Sequence, residues 1–333
     1  MRLSNALAFP QMPSRRDTGP ENTSVRRLFP QPRISRSAGG AGAFAGCAPP
    51  GDPLQYRPMA ATEGQRLSGR VAIVTGAGSR AEGIGNGRAA AILLARHGAR
   101  VALLDTMREW AEATARMIEA ERGDCVVLAA DVTDPAACAG AVEQTVARWG
   151  GLDILVNNVG IAGPPGTAVE VDPAAWDQAM RVNVTSMMLM AKYAIPEMRK
   201  RGSGAIVNIA SVAGLTGGHP NLLYPTSKGA VVNLTRAMAA HHGAEGIRVN
   251  CVAPGMVYTP MVSSRGMTPE MREARRNRSL LKTEGTGWDV GNAVVYLASD
   301  EARWVTGMVL PVDAGATAGA SRVAVPPSGS HRA

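Results

Sequence analysis

A chain of 333 residues with 45% apolar content is long enough to bury the core of one large α/β domain or two small ones. Its net charge of +8 suggests a nucleic-acid partner until the distribution is read: residues 1–58 carry eight Arg against Asp17, Glu21 and Asp52, leaving only +3 for the rest of the chain. Cys47, Cys125, Cys138 and Cys251 are too dispersed for a zinc site or disulfide framework, and no apolar run reaches the ~18 residues of a membrane span. The expectation is a cytoplasmic protein with no nucleic-acid, membrane or metal partner.

Residues 1–66 begin in Arg, Pro, Ser and Gly with no sustained period, a composition that cannot bury enough surface to offset its ordering. They are expected to be a disordered leader, or a start assigned too far upstream, with Met59-Ala60-Ala61-Thr62 as the alternative beginning. A mitochondrial transit segment is the less favoured reading, because prolines interrupt any long amphipathic helix. At Arg70 the pattern changes. Val71-Ala72-Ile73-Val74-Thr75 is a short continuous apolar run, as in a strand covered on both faces. Further strands are expected at 101–105, 125–131, 153–157, 205–211, 247–252 and 308–312. Helical stretches separate them at 88–96, 107–122, 134–149, 173–201, 224–243 and 287–298. Strict alternation predicts right-handed crossovers and a parallel, seven-stranded sheet with helices on both faces, in a single domain over 67–316. Residues 317–333 read as a flexible tail.

Between the first strand and the first helix lies Thr75-Gly76-Ala77-Gly78-Ser79-Arg80-Ala81-Glu82-Gly83-Ile84-Gly85-Asn86-Gly87. Glycines let backbone approach a pyrophosphate, and the helix N-terminus adds free N–H groups and a positive dipole. Asp105 ends the next strand, eighteen residues after Gly87. A carboxylate there accepts hydrogen bonds from ribose hydroxyls and repels a 2′-phosphate, which favours NAD over NADP; Arg80 or Arg108 reaching that phosphate would reverse the preference.

Tyr224-Pro225-Thr226-Ser227-Lys228 places a phenol and an ammonium one helical turn apart, on the same face. A nearby cation favours the phenolate and makes Tyr224 a candidate for proton transfer. Ser211, thirteen residues earlier, closes an apolar run at a strand mouth. Taken singly, these are more simply read as a partly buried tyrosine on a surface helix and a hydroxyl capping a turn.

Together these residues resemble the short-chain dehydrogenase/reductase family over about 68–316. Thr75-Gly76 matches the start of the family's T-G-x-x-x-G-x-G pattern, and spacing from the helix and from Asp105 matches Gly85-Asn86-Gly87 to its close, implying a loop about five residues longer than usual. Gly83-Ile84-Gly85 reads more like the family's G-I-G but fits the helix spacing less well. Asp131-Val132 resembles the pair that contacts adenine, and Asn157-Asn158-Val159-Gly160 the N-N-A-G turn. Asn183, Ser211, Tyr224 and Lys228 fall at the family's catalytic spacing. Pro254-Gly255 with Val257 and Thr259 resembles the segment that holds nicotinamide, and Asp313-Ala314-Gly315 replaces the usual D-G-G. The resemblance implies a doubly wound Rossmann fold. It also implies NAD or NADP held by Gly76, Ser79, Gly85, Gly87, Asp105, Asp131, Val132, Asn158, Gly160, Tyr224, Lys228, Pro254, Gly255, Val257 and Thr259. Hydride transfer between a secondary alcohol and a ketone is the implied reaction, with Tyr224 as acid/base, Lys228 supporting it, Ser211 holding the substrate oxygen and Asn183 holding a water.

The substrate is less legible. Residues 256–284, where the family has a mobile lid, hold Met256, Met261, Met267 and Met271 and five arginines, of which a solvated charged face is the simpler reading and a site for an anionic substrate the sharper one. His219 is expected to be an exposed loop histidine. A moderately apolar alcohol or ketone is favoured, with a sugar or a 3-oxoacyl thioester behind it. A catalytically silent NAD-binding sensor or scaffold is the alternative. The family's habit of pairing its long helices implies a dimer or tetramer through 173–201 and 224–243.

Overall fold

The computed structural model describes residues 65–264 and 266–319. All of the expected leader but its last two residues, and most of the expected tail, therefore lie outside the described residues. Seven parallel strands form one sheet in the order β3-β2-β1-β4-β5-β6-β7: β1 (Val71–Thr75), β2 (Arg100–Asp105), β3 (Cys125–Ala129), β4 (Ile154–Asn157), β5 (Gly204–Ile209), β6 (Ile247–Pro254) and β7 (Val309–Val312). The continuous apolar runs have the cause inferred for them. Ala72 and Val74 face a core shared with Ile92, Leu93 and Val294, while Val71 and Ile73 face a second core with Val142, Met190 and Met198.

The first layer contains α1 (Asn86–Arg96), α2 (Arg108–Ala120) and α9 (Gly287–Ala298); the opposite layer contains α3 (Pro135–Trp149), α5 (Ser186–Arg201) and α6 (Leu223–His242), with α4 (Pro173–Met180) leading into α5. Two short helices, α7 (Pro260–Ser263) and α8 (Pro269–Arg276), follow β6. β1 pairs with β2 on one side and β4 on the other. The strand order reverses there, which opens a crevice at the carboxyl ends of the strands.

Three local differences from the sequence reading matter. Helix 173–201 is not continuous: a π-helical turn, Arg181–Thr185, separates α4 from α5, and its extra residue re-aims the side chains that follow. The third strand stops at Ala129, so Asp131 and Val132 lie on the loop beyond it, and Ser211 lies two residues past the end of β5. The folded layer also reaches both edges of the expected domain. Arg66 pairs with Glu301, Leu67 is buried, and the Thr317 N–H and Oγ1 both donate to Asp313 Oδ2, at 2.8 and 2.7 Å.

Candidate active site

A cavity of about 410 Å³ runs along the carboxyl ends of the strands. At one end is the glycine loop. Asn158, just after β4, fixes it to the sheet: its N–H donates to Thr75 Oγ1 (3.0 Å), and its Nδ2 donates to the carbonyls of Thr75 (3.2 Å) and Gly76 (3.0 Å). Gly76 adopts φ +61°, a left-handed conformation that favours glycine. Gly87 lies against it so closely that a Cβ there would sit 2.1 Å from Gly76 O and 2.4 Å from Asn158 Nδ2. Gly85 precedes the first residue of α1 with open space around it and no side-chain cap on the helix. The first N–H groups of α1 therefore face the cavity, and an anion fits there.

Toward the sheet edge, Asp105 Oδ2 accepts the Gly78 N–H (3.0 Å) and Oδ1 the Met107 N–H (3.2 Å). Gly78 lies over Trp110, whose Cβ would be 2.5 Å from a Cβ on the glycine; both residues line the cavity, and sequence reasoning singled out neither. Asp131 and Val132 also line it, with Asp131 Oδ1 accepting the Thr133 N–H and hydroxyl. Ser79 lines the cavity while its own hydroxyl donates to Ala81 O (2.7 Å). These residues make a cradle whose shape and donors fit a dinucleotide.

At the other end stand Gly160, Tyr224, Lys228 and Thr259. Gly160 leaves room for the lysine: a Cβ there would be 3.1 Å from Lys228 Nζ and 3.5 Å from Asn183 Oδ1. Lys228 is buried, donates to Ile209 O (3.0 Å) and lies 5.9 Å from the centroid of the Tyr224 ring. Asn183, on the π-helical turn, clamps the loop after β4, accepting the Ile161 N–H (2.8 Å) and donating to Ile161 O (2.9 Å) and Ser227 Oγ (3.0 Å). Ser227 Oγ in turn donates to Tyr224 O (2.9 Å), so one amide on the π-helical turn ties the loop after β4 to α6. The Ser211 turn packs on the same helix, since a Cβ on Gly214 would be 2.5 Å from the Lys228 carbonyl carbon. Ser211 Oγ accepts the Ala213 N–H (3.2 Å).

Not every expected residue meets the cavity. Asn183, Ser211, Pro254, Gly255 and Val257 lie outside its lining. Gly255 instead backs onto Asp313, with a Cβ position 2.5 Å from Asp313 Cβ, and Val257 is buried in a bridge to Gly285. Of the arginines expected on a solvated face, Arg272 and Arg275 turn inward to Glu284, at 2.8 and 3.3 Å. Arg272 also stacks 3.9 Å above the Tyr258 ring, so neither side chain stands ready for an anionic substrate. His219 is exposed as expected, yet its ring centroid lies 5.4 Å from that of Tyr224.

Burial pushes the Lys228 ammonium down from 10.5 to about 8, with Cys251 acting in the opposite sense. The unfolded chain then binds more protons than the folded one between about pH 8 and 10.5, so this group makes stability rise with pH across that window. Urea denaturation of the cofactor-free protein across the same window is expected to show that rise, and Lys228→Met to flatten it. An unchanged slope in the variant would contradict the assignment.

A family model described as enoyl-(acyl carrier protein) reductase matches residues 78–317. Cis-4-hydroxycyclohexanecarboxylate dehydrogenase of Sinomonas cyclohexanicum is 39% identical over 255 residues, covering 77% of this chain and 99% of the relative. 2-(S)-hydroxypropyl-CoM dehydrogenase 3 of Xanthobacter autotrophicus is 41% identical over 257 residues, covering 76% and 98%. A crystal structure from Burkholderia xenovorans, described as a short-chain dehydrogenase/reductase, superposes with a TM-score of 0.74 at 41% identity, covering 77% of this chain and 99% of its own. The parallel sheet, the glycine cradle and these likenesses agree: the chain belongs to the short-chain dehydrogenase/reductase family, oxidoreductases acting on CH–OH groups.

Proposed function

We propose that this enzyme interconverts a secondary alcohol and a ketone, with Tyr224 as the acid/base and NAD as the preferred cofactor. The observation that carries the reading is a single cavity with an anion-accepting helix start at one end and the Tyr224–Lys228 pair at the other. A bound nicotinamide dinucleotide supplies the chemistry of accepting or donating a hydride. The glycine loop and the α1 N-terminus would hold its pyrophosphate, Asp105 its adenosine ribose, and Gly160, Lys228 and Thr259 its nicotinamide half. In oxidation Tyr224 takes the hydroxyl proton as the C–H bond gives up its hydride; in reduction it returns a proton to the new alkoxide. Lys228 favours the phenolate by its charge, Asn183 keeps the loop beneath them in place, and Ser211, on the turn packed against α6 beside the cavity, would reach across to steady the substrate oxygen.

For the substrate, the names of the two relatives support an alcohol on a ring or short-chain secondary carbon. The testing experiment is a panel of cyclic and acyclic secondary alcohols with NAD and with NADP, followed by the absorbance of the reduced nicotinamide. Reduction of NAD by at least one alcohol, faster than that of NADP, is expected; failure of every alcohol with both cofactors in a protein that still binds NADH would favour a silent sensor. The cofactor preference has its own test. Asp105→Ser removes the charge that opposes a 2′-phosphate, and the ratio of kcat/KM for NADP over NAD is expected to rise about tenfold or more. An unchanged ratio would remove Asp105 from cofactor choice.

A further inference from the structure

Arg88, in the first turn of α1, occupies a place where an arginine ordinarily faces solvent, yet it is only 4% exposed. Its Nε donates to Thr114 Oγ1 (3.0 Å) and its Nη1 to Gly83 O (2.7 Å). Thr114, fully buried on α2, donates a hydrogen bond from its own hydroxyl to Ala77 O (2.8 Å). Ala77 belongs to the limb of the glycine loop that leaves β1, and Gly83 to the limb that enters α1. Gly83 is held at φ +108°, a conformation open to glycine. One guanidinium therefore joins both limbs of a loop that is longer than the family pattern, directly and through one hydroxyl. Both limbs contribute cavity wall, Gly76 and Gly78 from the first, Gly85 and Asn86 from the second. Burial pushes the guanidinium below the ordinary arginine range, and the Asp105 carboxylate partly offsets this.

We propose that Arg88 is a positioning residue for the dinucleotide: it fixes the two limbs in the shape that presents their N–H groups to a pyrophosphate, and it adds positive charge behind them. Without the link the loop would lose closure between its limbs and the bound state would have to order it. The charge acts through a low-dielectric layer, where its attraction for an anion is strong. Thr114 is the hinge pin of the arrangement, since its hydroxyl both accepts from Arg88 and donates to Ala77. This inference rests on the reading of the cavity as a nicotinamide-dinucleotide site.

The test is a fluorescence titration of the full chain with NADH, in the wild type, Arg88→Met, Arg88→Lys and Thr114→Val, with thermal melting of each cofactor-free protein alongside. Arg88→Met is expected to raise the Kd for NADH about tenfold or more, Thr114→Val about threefold, and Arg88→Lys to fall between wild type and Met. The KM for NAD should follow the Kd, with kcat changing much less. A wild-type Kd in Arg88→Met, or equal losses in affinity and kcat, would overturn the proposal, because a merely structural role lowers the melting temperature without this split. Should Arg88→Met fail to fold, Thr114→Val decides, and a wild-type Kd there overturns it. A wild type that does not bind NADH overturns the cofactor reading itself, and the inference with it.

Discussion

Tyr224→Phe is expected to lower kcat about a thousandfold or more, while the Kd for NADH stays within about threefold of wild type. Removing one oxygen deletes the only group on that ring able to carry the substrate proton, and positioned acid/base groups are worth about a hundredfold to ten-thousandfold. Phenylalanine keeps the ring that packs against His219 and leaves Lys228 donating to Ile209 O. The Asn183–Ser227 link to residue 224 runs through the backbone carbonyl, so it also survives the substitution. Steady-state rates and NADH titration on one preparation separate the two effects. Turnover close to wild type would remove Tyr224 from the chemistry.

Gly87→Ala is expected to weaken NADH binding about a hundredfold or more and to lower the melting temperature, without touching the Tyr224 end. The added methyl would meet Gly76 O at 2.1 Å and Asn158 Nδ2 at 2.4 Å. Neither neighbour can yield cheaply. Gly76 O is backbone already accepting from Asn158, and Asn158 is held by Thr75 as well. The start of α1 must therefore move away from β1, and with it the N–H groups that face the cavity. Gly85→Ala provides the contrast, because open space surrounds that position and its φ is −83°. Its effect on Kd is expected to be far smaller. Equal effects from the two substitutions would mean that close packing of helix on strand does not shape the cradle.

The sheet was legible because burial on both faces makes parallel strands nearly continuous apolar runs, as in Val71–Thr75 and Ile154–Asn157, where only the last residue is polar. Tyr224 and Lys228 were legible as a pair because four residues along a helix return to one face, and α6 is a helix from Leu223 to His242. The contacts that hold them in place were not. The π-helical turn under Asn183 contains neither Gly nor Pro, so nothing in Arg-Val-Asn-Val-Thr announces the extra residue. Arg88 has the letters of a surface position; only the fold reveals Thr114 and Gly83 around its guanidinium. The lid arginines misled for the same reason. Glu284 lies twelve residues from Arg272 and nine from Arg275, beyond any helical spacing, and its side chain is 5% exposed. Long-range polar pairing leaves no local period to read.

The central claim is that one proton and one hydride leave the same secondary carbinol within this cavity, the proton to Tyr224 and the hydride to the cofactor. Its most direct measurement uses an alcohol from the reactive panel, deuterated at the carbinol carbon, incubated with the wild-type enzyme and NAD. Mass spectrometry of the reduced cofactor should find one deuterium in each molecule formed, with the ketone carrying none at that carbon. Unlabelled NADH, or a ketone formed with no reduced cofactor, would contradict the account.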